Sequence, residues 1–164
     1  MMLKKIKEYF SHKSLKAKGL TLVKPYYIES FKRISFNGVC YIGPHFYCSA
    51  KGGLSIGENV IIGPKCNIWT YNHDFNSNQM IPYSRDDVFK PVVIGDHVWI
   101  GLNVTILPGT KINRGAIVSA GSVIRGEIEE CAIVAGNPAK IVGYRNKSSF
   151  YDNVKRKKHY LRLK

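Results

Sequence analysis

The side chain best suited to move a proton in this chain is His73, in the run Tyr71-Asn72-His73-Asp74-Phe75. A neutral imidazole accepts a proton on one ring nitrogen while its other nitrogen is held in place, and Asp74 or a backbone carbonyl is the expected holder. His73 lies in a polar stretch, residues 70–91, that carries Pro82 and Pro91 and interrupts the periodicity on either side of it. Long irregular stretches in compact domains are uncommon unless they are functional or disordered. A rigid scaffold displaying one polar loop is a common way to present catalytic groups. The other histidines offer less, since His45 and His97 each follow a repeat aliphatic by three positions and read as turn residues, while His12 and His159 lie in basic ends. A catalytic zinc site needs three converging ligands, and the loop supplies one imidazole, so no metal is expected. Cys40, Cys48, Cys66 and Cys131 form no C-x-x-C pair and fall among repeat residues, which suits reduced, buried thiols.

The elements that must carry this loop are set by a period of six. Ile94, Ile100, Ile106, Ile112, Val118 and Ile124 follow one another at that interval without a miss. Six matches neither the 3.6 of a helix nor a plain alternating strand, but it is a multiple of two and suits short strands joined by tight turns. Four positions after each come Val98, Val104, Thr110, Ala116, Ser122 and Ile128, mostly small enough to fill the remaining interior. Gly95 and Gly101, with Asn113 and Ser119, directly follow repeat aliphatics, where a turn is expected to need small or αL-tolerant residues. Upstream the pattern is ragged: Ile42 and Leu54 share a frame, and a two-residue slip then sets another at Ile56, Ile62 and Ile68. Alternation about Val98 and Ile100 sends Trp99 outward, and Ile61, Ile117 and Val123 occupy equivalent positions. Apolar groups on an outer face need a ligand or a neighbouring subunit to cover them.

The chain is long enough for one domain with a real core. Its parts are expected to be a basic amphipathic segment over 1–33, a repeat domain over 34–143, and a basic tail over 144–164, helical near Asp152 to Leu163. Met2, Leu3, Ile6 and Phe10 share one helical side in the first of these. The net charge of +14 is uneven: residues 1–24 hold seven Lys and one Glu, residues 145–164 hold eight Lys or Arg and one Asp, and the repeats are nearly neutral. Cations confined to the ends argue against a nucleic-acid enzyme. They suit solvated tails or contact with a membrane surface. No apolar run has membrane-spanning length and no leader-type apolar region is present, so a cytoplasmic protein is expected, with its basic ends able to meet the inner membrane face.

Against the background of hexads, Val98-Trp99-Ile100-Gly101 and Ile133-Val134-Ala135-Gly136-Asn137-Pro138-Ala139-Lys140 resemble the hexapeptide-repeat acetyltransferases, in particular the acetyl-coenzyme A dependent sugar O-acetyltransferases of the galactoside and maltose type. The resemblance spans about Ile42 to Arg145. It implies an all-β fold, a left-handed parallel β-helix of three flat sheets, a handedness that the right-handed crossover rule would not predict. It also implies a homotrimer with sites between subunits, acetyl-coenzyme A as donor, and His73 as general base. The Trp99 position would lie near the pantetheine arm, Gly101, Leu102 and Ala120 would border the donor with backbone amides, and Lys140 with Arg125 or Arg145 would meet its phosphates. Leu102 departs from the Ser of the galactoside branch, and Cys48-Ser49-Ala50-Lys51-Gly52-Gly53 departs from an Asn-containing acceptor strand, so acceptor identity does not carry over. The expected activity is O-acetylation of a sugar hydroxyl in cell-surface polysaccharide synthesis, the alternative being N-acetylation of an amino sugar on a nucleotide carrier.

Overall fold

A computed structural model describes residues 19–162. The expected amphipathic face at Met2, Leu3, Ile6 and Phe10 lies outside the described residues. The chain winds as a parallel β-helix through three sheets that form the sides of a prism. Sheet 1 stacks Leu20–Leu22, Cys40–Ile42, Val60–Ile62, Trp99–Ile100, Ile117–Val118 and Ala132–Gly136, and sheet 2 stacks Tyr26–Glu29, Phe46–Ser49, Asn67–Trp69, Thr105–Ile106 and Val123–Ile124. Sheet 3 stacks Ile34–Phe36, Leu54–Ile56, Val92–Ile94, Lys111–Ile112 and Glu127–Ile128. Corner 1 joins sheet 1 to sheet 2, corner 2 joins sheet 2 to sheet 3, and corner 3 returns to sheet 1.

The hexad residues fill the prism. Ile94, Ile100, Ile106, Ile112, Val118 and Ile124 are buried, as are Val98, Val104, Thr110, Ala116, Ser122 and Ile128. Burying each large aliphatic contributes about 1.5–3 kcal/mol. The buried hydroxyls are satisfied: Thr110 Oγ1 donates to the Leu107 carbonyl at 2.7 Å, and Ser122 Oγ accepts from the Gly136 N–H at 3.1 Å.

Strand register explains the ragged upstream frame. Leu20 pairs with Cys40 and Cys40 with Val60, so the first coils are twenty residues long, whereas Ile100 pairs with Val118, eighteen residues on. Both Leu54 and Ile56 point inward from one strand, as do Cys40 and Ile42. The slip is therefore a longer coil, not a break in the helix. The same pairing shows that the coil is already under way at Leu20, ahead of the boundary at 34 expected from the sequence, because Leu20–Leu22 and Tyr26–Glu29 belong to sheets 1 and 2.

The turn chemistry also differs from expectation. Positive φ falls three residues after the repeat aliphatic, at His45, Asn59, Lys65, His97, Asn103, Gly109, Gly115, Gly121 and Cys131. The residue directly after the aliphatic has another task. A Cβ on Gly101 would lie 2.7 Å from the Ala120 N–H nitrogen, so glycine there lets successive corners stack backbone to backbone.

The outward row on sheet 1 is Tyr41, Ile61, Trp99, Ile117 and Ile133, in direct register. Val123 is not part of it, since it stands beside Thr105 on sheet 2. After Gly136 the chain reverses, runs back antiparallel as Ala139–Tyr144, and enters helix α1, Lys147–Lys155. The helix therefore starts earlier than the expected 152, capped by Asn146, whose side chain accepts the Ser149 N–H at 2.9 Å.

Residues 70–91 leave the prism at corner 2. Thr70 Oγ1 fixes the departure point by donating to the Ser49 carbonyl at 2.9 Å and accepting the Gly52 N–H at 2.7 Å. A methyl on Gly52 would collide with the Thr70 carbonyl oxygen, whereas one on Gly143 would meet nothing. Gly52→Ala is expected to destabilise the fold by about 1–3 kcal/mol, the usual cost of overpacking, and Gly143→Ala to leave the thermal midpoint nearly unchanged. Paired melting curves check this.

Candidate functional site

The stretch predicted as a loop contains a small hairpin. Tyr71–His73 and Asp87–Phe89 pair antiparallel with His73 directly opposite Asp87. Cross-strand partners on one face lie within side-chain reach, whereas sequence neighbours point to opposite faces. The ring of His73 is accordingly held by Asp87, Nδ1 to Oδ1 at 2.9 Å, and not by Asp74 as the sequence suggested. Asp74 closes the neck of the loop: its N–H donates to the Asp86 carbonyl, its carbonyl accepts from Ser84, and its carboxylate accepts the Asn76 N–H at 3.1 Å. With Nδ1–H donated to a carboxylate, the neutral tautomer of His73 presents Nε2 as an acceptor.

Three further groups fix this arrangement. Tyr83 stacks on the imidazole with ring centres 4.1 Å apart, and Tyr71 meets it edge-on at 6.0 Å. Lys51 Nζ lies 3.7 Å from Asp87 Oδ2, 3.7 Å from Glu29 Oε1 and 4.3 Å from the Tyr71 ring centre. Partial desolvation works against that ammonium, yet Glu29, Tyr71 and Asp87 outweigh it and raise the Lys51 pKa above the ordinary lysine value. Tyr71, Tyr83, Asp87 and Lys51 were missed in the sequence. The one available signal was a pair of short alternating runs, YNH and DVF, at the two ends of the loop.

No cysteine is set up as a nucleophile. Burial pushes the thiols of Cys40 and Cys48 up to about 12, with Glu29 adding to the effect at Cys48, and burial raises Cys66 and Cys131 as well. Ser49 is fully buried with its hydroxyl 2.5 Å from Glu29.

The residues expected to border a donor do not all come together. Gly101, Leu102 and Ala120 stack at corner 1, with half-exposed Trp99 just before them on sheet 1. Lys140 joins them, because it pairs with Ala135 at the corner 1 end of the last sheet 1 strands. It is exposed and in no ion pair among the described residues. Arg125 instead follows Val123–Ile124 into corner 2, across sheet 2 from Ala120. Arg145 is turned away, its Nε donating to the Gly115 carbonyl at corner 3 at 2.6 Å. Within one chain, then, the His73 hairpin and the Trp99 to Lys140 edge occupy different corners. The three histidines His45, His73 and His97 likewise sit at corners 1, 2 and 3.

Residues 91–126 match the family described as bacterial transferase hexapeptide (six repeats). The chain is 36% identical over 124 residues to a putative lipopolysaccharide biosynthesis O-acetyl transferase, WbbJ, of Escherichia coli, covering 70% of this chain and 63% of that one. It is 26% identical over 122 residues to the galactoside O-acetyltransferase of the same organism, covering 71% and 59%. The chain thus spans less than two thirds of the length of either. A hexapeptide-repeat-containing acetyltransferase of Vibrio cholerae superposes with a TM-score of 0.70 at 30% identity, covering 76% of this chain and 70% of that one. The same protein in complex with acetyl-coenzyme A gives a TM-score of 0.71. With the repeat, the stacked parallel sheets and a likeness that spans most of a solved member, this chain belongs to the hexapeptide-repeat acetyltransferases, with the left-handed parallel β-helix that defines them.

Proposed function

We propose that the protein transfers an acetyl group from acetyl-coenzyme A to a sugar hydroxyl, with His73 as the base, in the synthesis of a cell-surface polysaccharide. The observation that carries this reading is the His73–Asp87 pair at the one large interruption of the coil. A hydroxyl is scarcely ionised at neutral pH and needs a base as it attacks, whereas a neutral amine does not. A carboxylate on Nδ1 fixes the ring so that Nε2 is aimed for that task, and this favours O- over N-acetylation. Nε2 takes the hydroxyl proton, the hydroxyl oxygen bonds to the thioester carbonyl carbon, and the carbon–sulfur bond breaks, the departing sulfur taking the proton back from Nε2 so that coenzyme A leaves as the thiol. A backbone N–H near Leu102 is suited to receive the oxyanion. High thiol pKa values at the cysteines support direct transfer without an acyl-enzyme.

The residues at corner 1 fit a donor with an apolar arm and several phosphates. Trp99 and Leu102 are 52% and 48% exposed, and Lys140 is free to meet an anion. Because His73 and this edge stand at different corners, the complete site is formed by two copies, the hairpin of one facing the Trp99 edge of the next. Three prisms side by side satisfy each site once and cover the Tyr41 to Ile133 row, so the assembly is a homotrimer. The protein works in the cytoplasm, with Lys155 and Lys157 of its basic end exposed and able to meet the inner membrane face. Among the described residues no helix is long and apolar enough to cross a membrane.

Release of free thiol from acetyl-coenzyme A in the presence of sugar acceptors tests the activity, and Lys140→Glu tests the donor edge. An exposed ion pair contributes up to about 1 kcal/mol, or roughly fivefold. Reversing the charge should raise KM for acetyl-coenzyme A by at least that factor and leave KM for the sugar nearly unchanged. Movement of the sugar KM instead would misplace the groove. Sedimentation at micromolar concentration is expected to give a trimer, and a monomer would contradict the shared site.

A further inference from the structure

Corner 3 carries neither His73 nor the Trp99 edge, yet helix α1 closes over it and leaves a cavity of about 450 Å³. Its walls include Asn59 and His97 from the corner, Arg145 ahead of the helix, Asn153 on the helix, and Lys158 and His159 beyond it. Among the described residues no acidic one lines it. The carboxylates of this corner have partners of their own: Glu58 pairs with Arg162 at 3.3 Å, Asp96 accepts the Glu58 N–H at 2.9 Å, Glu129 accepts from the Tyr144 hydroxyl at 2.9 Å, and Glu130 accepts from the Tyr151 hydroxyl.

Two permanent cations therefore face the space with no carboxylate paired to them among the described residues. Lys158 is exposed and in no ion pair among the described residues. Arg145 uses Nε on the Gly115 carbonyl and lies 5.8 Å from the Phe150 ring, and burial pulls its pKa below the ordinary arginine value. A partly desolvated guanidinium without a carboxylate is a costly group to keep unless an anion visits it. Polar atoms at the same wall are also left over. Both side-chain polar atoms of Asn59 and Nε2 of His97 are enclosed and have no hydrogen-bond partner among the described residues, although such groups are rarely orphaned in native proteins. His97 stacks on His159 with ring centres 5.1 Å apart. Burial, then Arg114 and His159, lower its pKa and outweigh Glu58 and Asp96, which act to raise it.

We propose that this cavity binds a small phosphate ester, at a site separate from acetyl transfer. A phosphomonoester is a dianion, which Arg145 and Lys158 neutralise, and its terminal oxygens accept from the Asn153 amide and the His159 imidazole at the open wall. The volume exceeds what a lone phosphate fills and lies in the range of small-molecule pockets. Phe150 supplies a flat wall for the organic part. Sheet 1 separates the cavity from corner 1, and sheet 3 separates it from the hairpin at corner 2. Arg145, which the family resemblance suggested for the donor's phosphates, thus serves a different anion.

The test is calorimetric titration of the full chain with phenyl phosphate, and in parallel with vesicles containing phosphatidic acid, which carries the same phosphomonoester on a lipid. One saturable site per chain is expected. Lys158→Glu and Asn153→Asp, both at exposed positions, should each weaken binding at least about tenfold with the thermal midpoint unchanged. His73→Ala and saturating coenzyme A should leave binding intact. Binding of phenyl phosphate identifies a soluble ester as the ligand, and binding to vesicles alone identifies a lipid headgroup; both support the site if the variants lose it. The proposal is overturned if neither probe saturates, if Lys158→Glu binds as the wild type does, or if coenzyme A displaces the probe.

Discussion

His73→Ala is expected to lower kcat by about 100- to 10,000-fold, the usual contribution of a positioned acid or base. The substitution removes the acceptor nitrogen without touching the prism, since His73 stands on a hairpin outside the core and its ring contacts are with Tyr83, Tyr71 and Asp87. Coenzyme A affinity and trimer formation should therefore survive. Rate constants measured at saturating donor, with sedimentation on the same sample, separate loss of chemistry from loss of assembly. A variant that turned over near the wild-type rate would leave the hairpin with a role in shaping the sugar site alone.

Asp87→Asn should come next in size. A hydrogen bond to a charged group contributes about 1.5–3 kcal/mol, and each 1.36 kcal/mol is tenfold in rate, so a fall in kcat of about 10- to 150-fold is expected. An amide at this position no longer favours the tautomer that leaves Nε2 free. Asp74→Asn is the matched control, because an Asn side chain still accepts the Asn76 N–H that Asp74 holds. It should keep most of the activity. Equal losses in the two variants would return Asp74 to the site and remove the distinction that the hairpin register makes.

That distinction marks where the sequence stops being legible. Regular hexads from Ile94 to Ile124 disclose the prism because every sixth residue meets the same interior environment, and the small residues four positions later are buried as expected. The first coils are harder to see: their interior is filled by Cys40, Phe46, Cys48 and Ala50 as well as aliphatics, and their twenty-residue length shifts the frame. His73 stands out by interrupting the period. Asp87 does not, because a cross-strand partner is chosen by hairpin register fourteen positions away and leaves no spacing signal. The direction of Arg145 is hidden for a related reason. A family match fixes the position along the chain, but the direction of the side chain depends on how α1 seats Phe150 against Gly115. The αL positions could have been found by counting three from each aliphatic, but His97, Asn103 and Lys65 conceal them among residues that do not advertise positive φ.

The central claim is that the His73–Asp87 pair directs an acetyl group onto a sugar hydroxyl. Its most direct test is mass spectrometry of products after incubating the protein and acetyl-coenzyme A with free sugars, nucleotide-linked sugars and glycan fragments, followed by mild alkaline treatment. A single acetyl increment on one acceptor class, removed by alkali as an ester should be and absent with His73→Ala, is the predicted result. An alkali-resistant acetyl on an amino sugar, or an ester that forms equally well without His73, would contradict it.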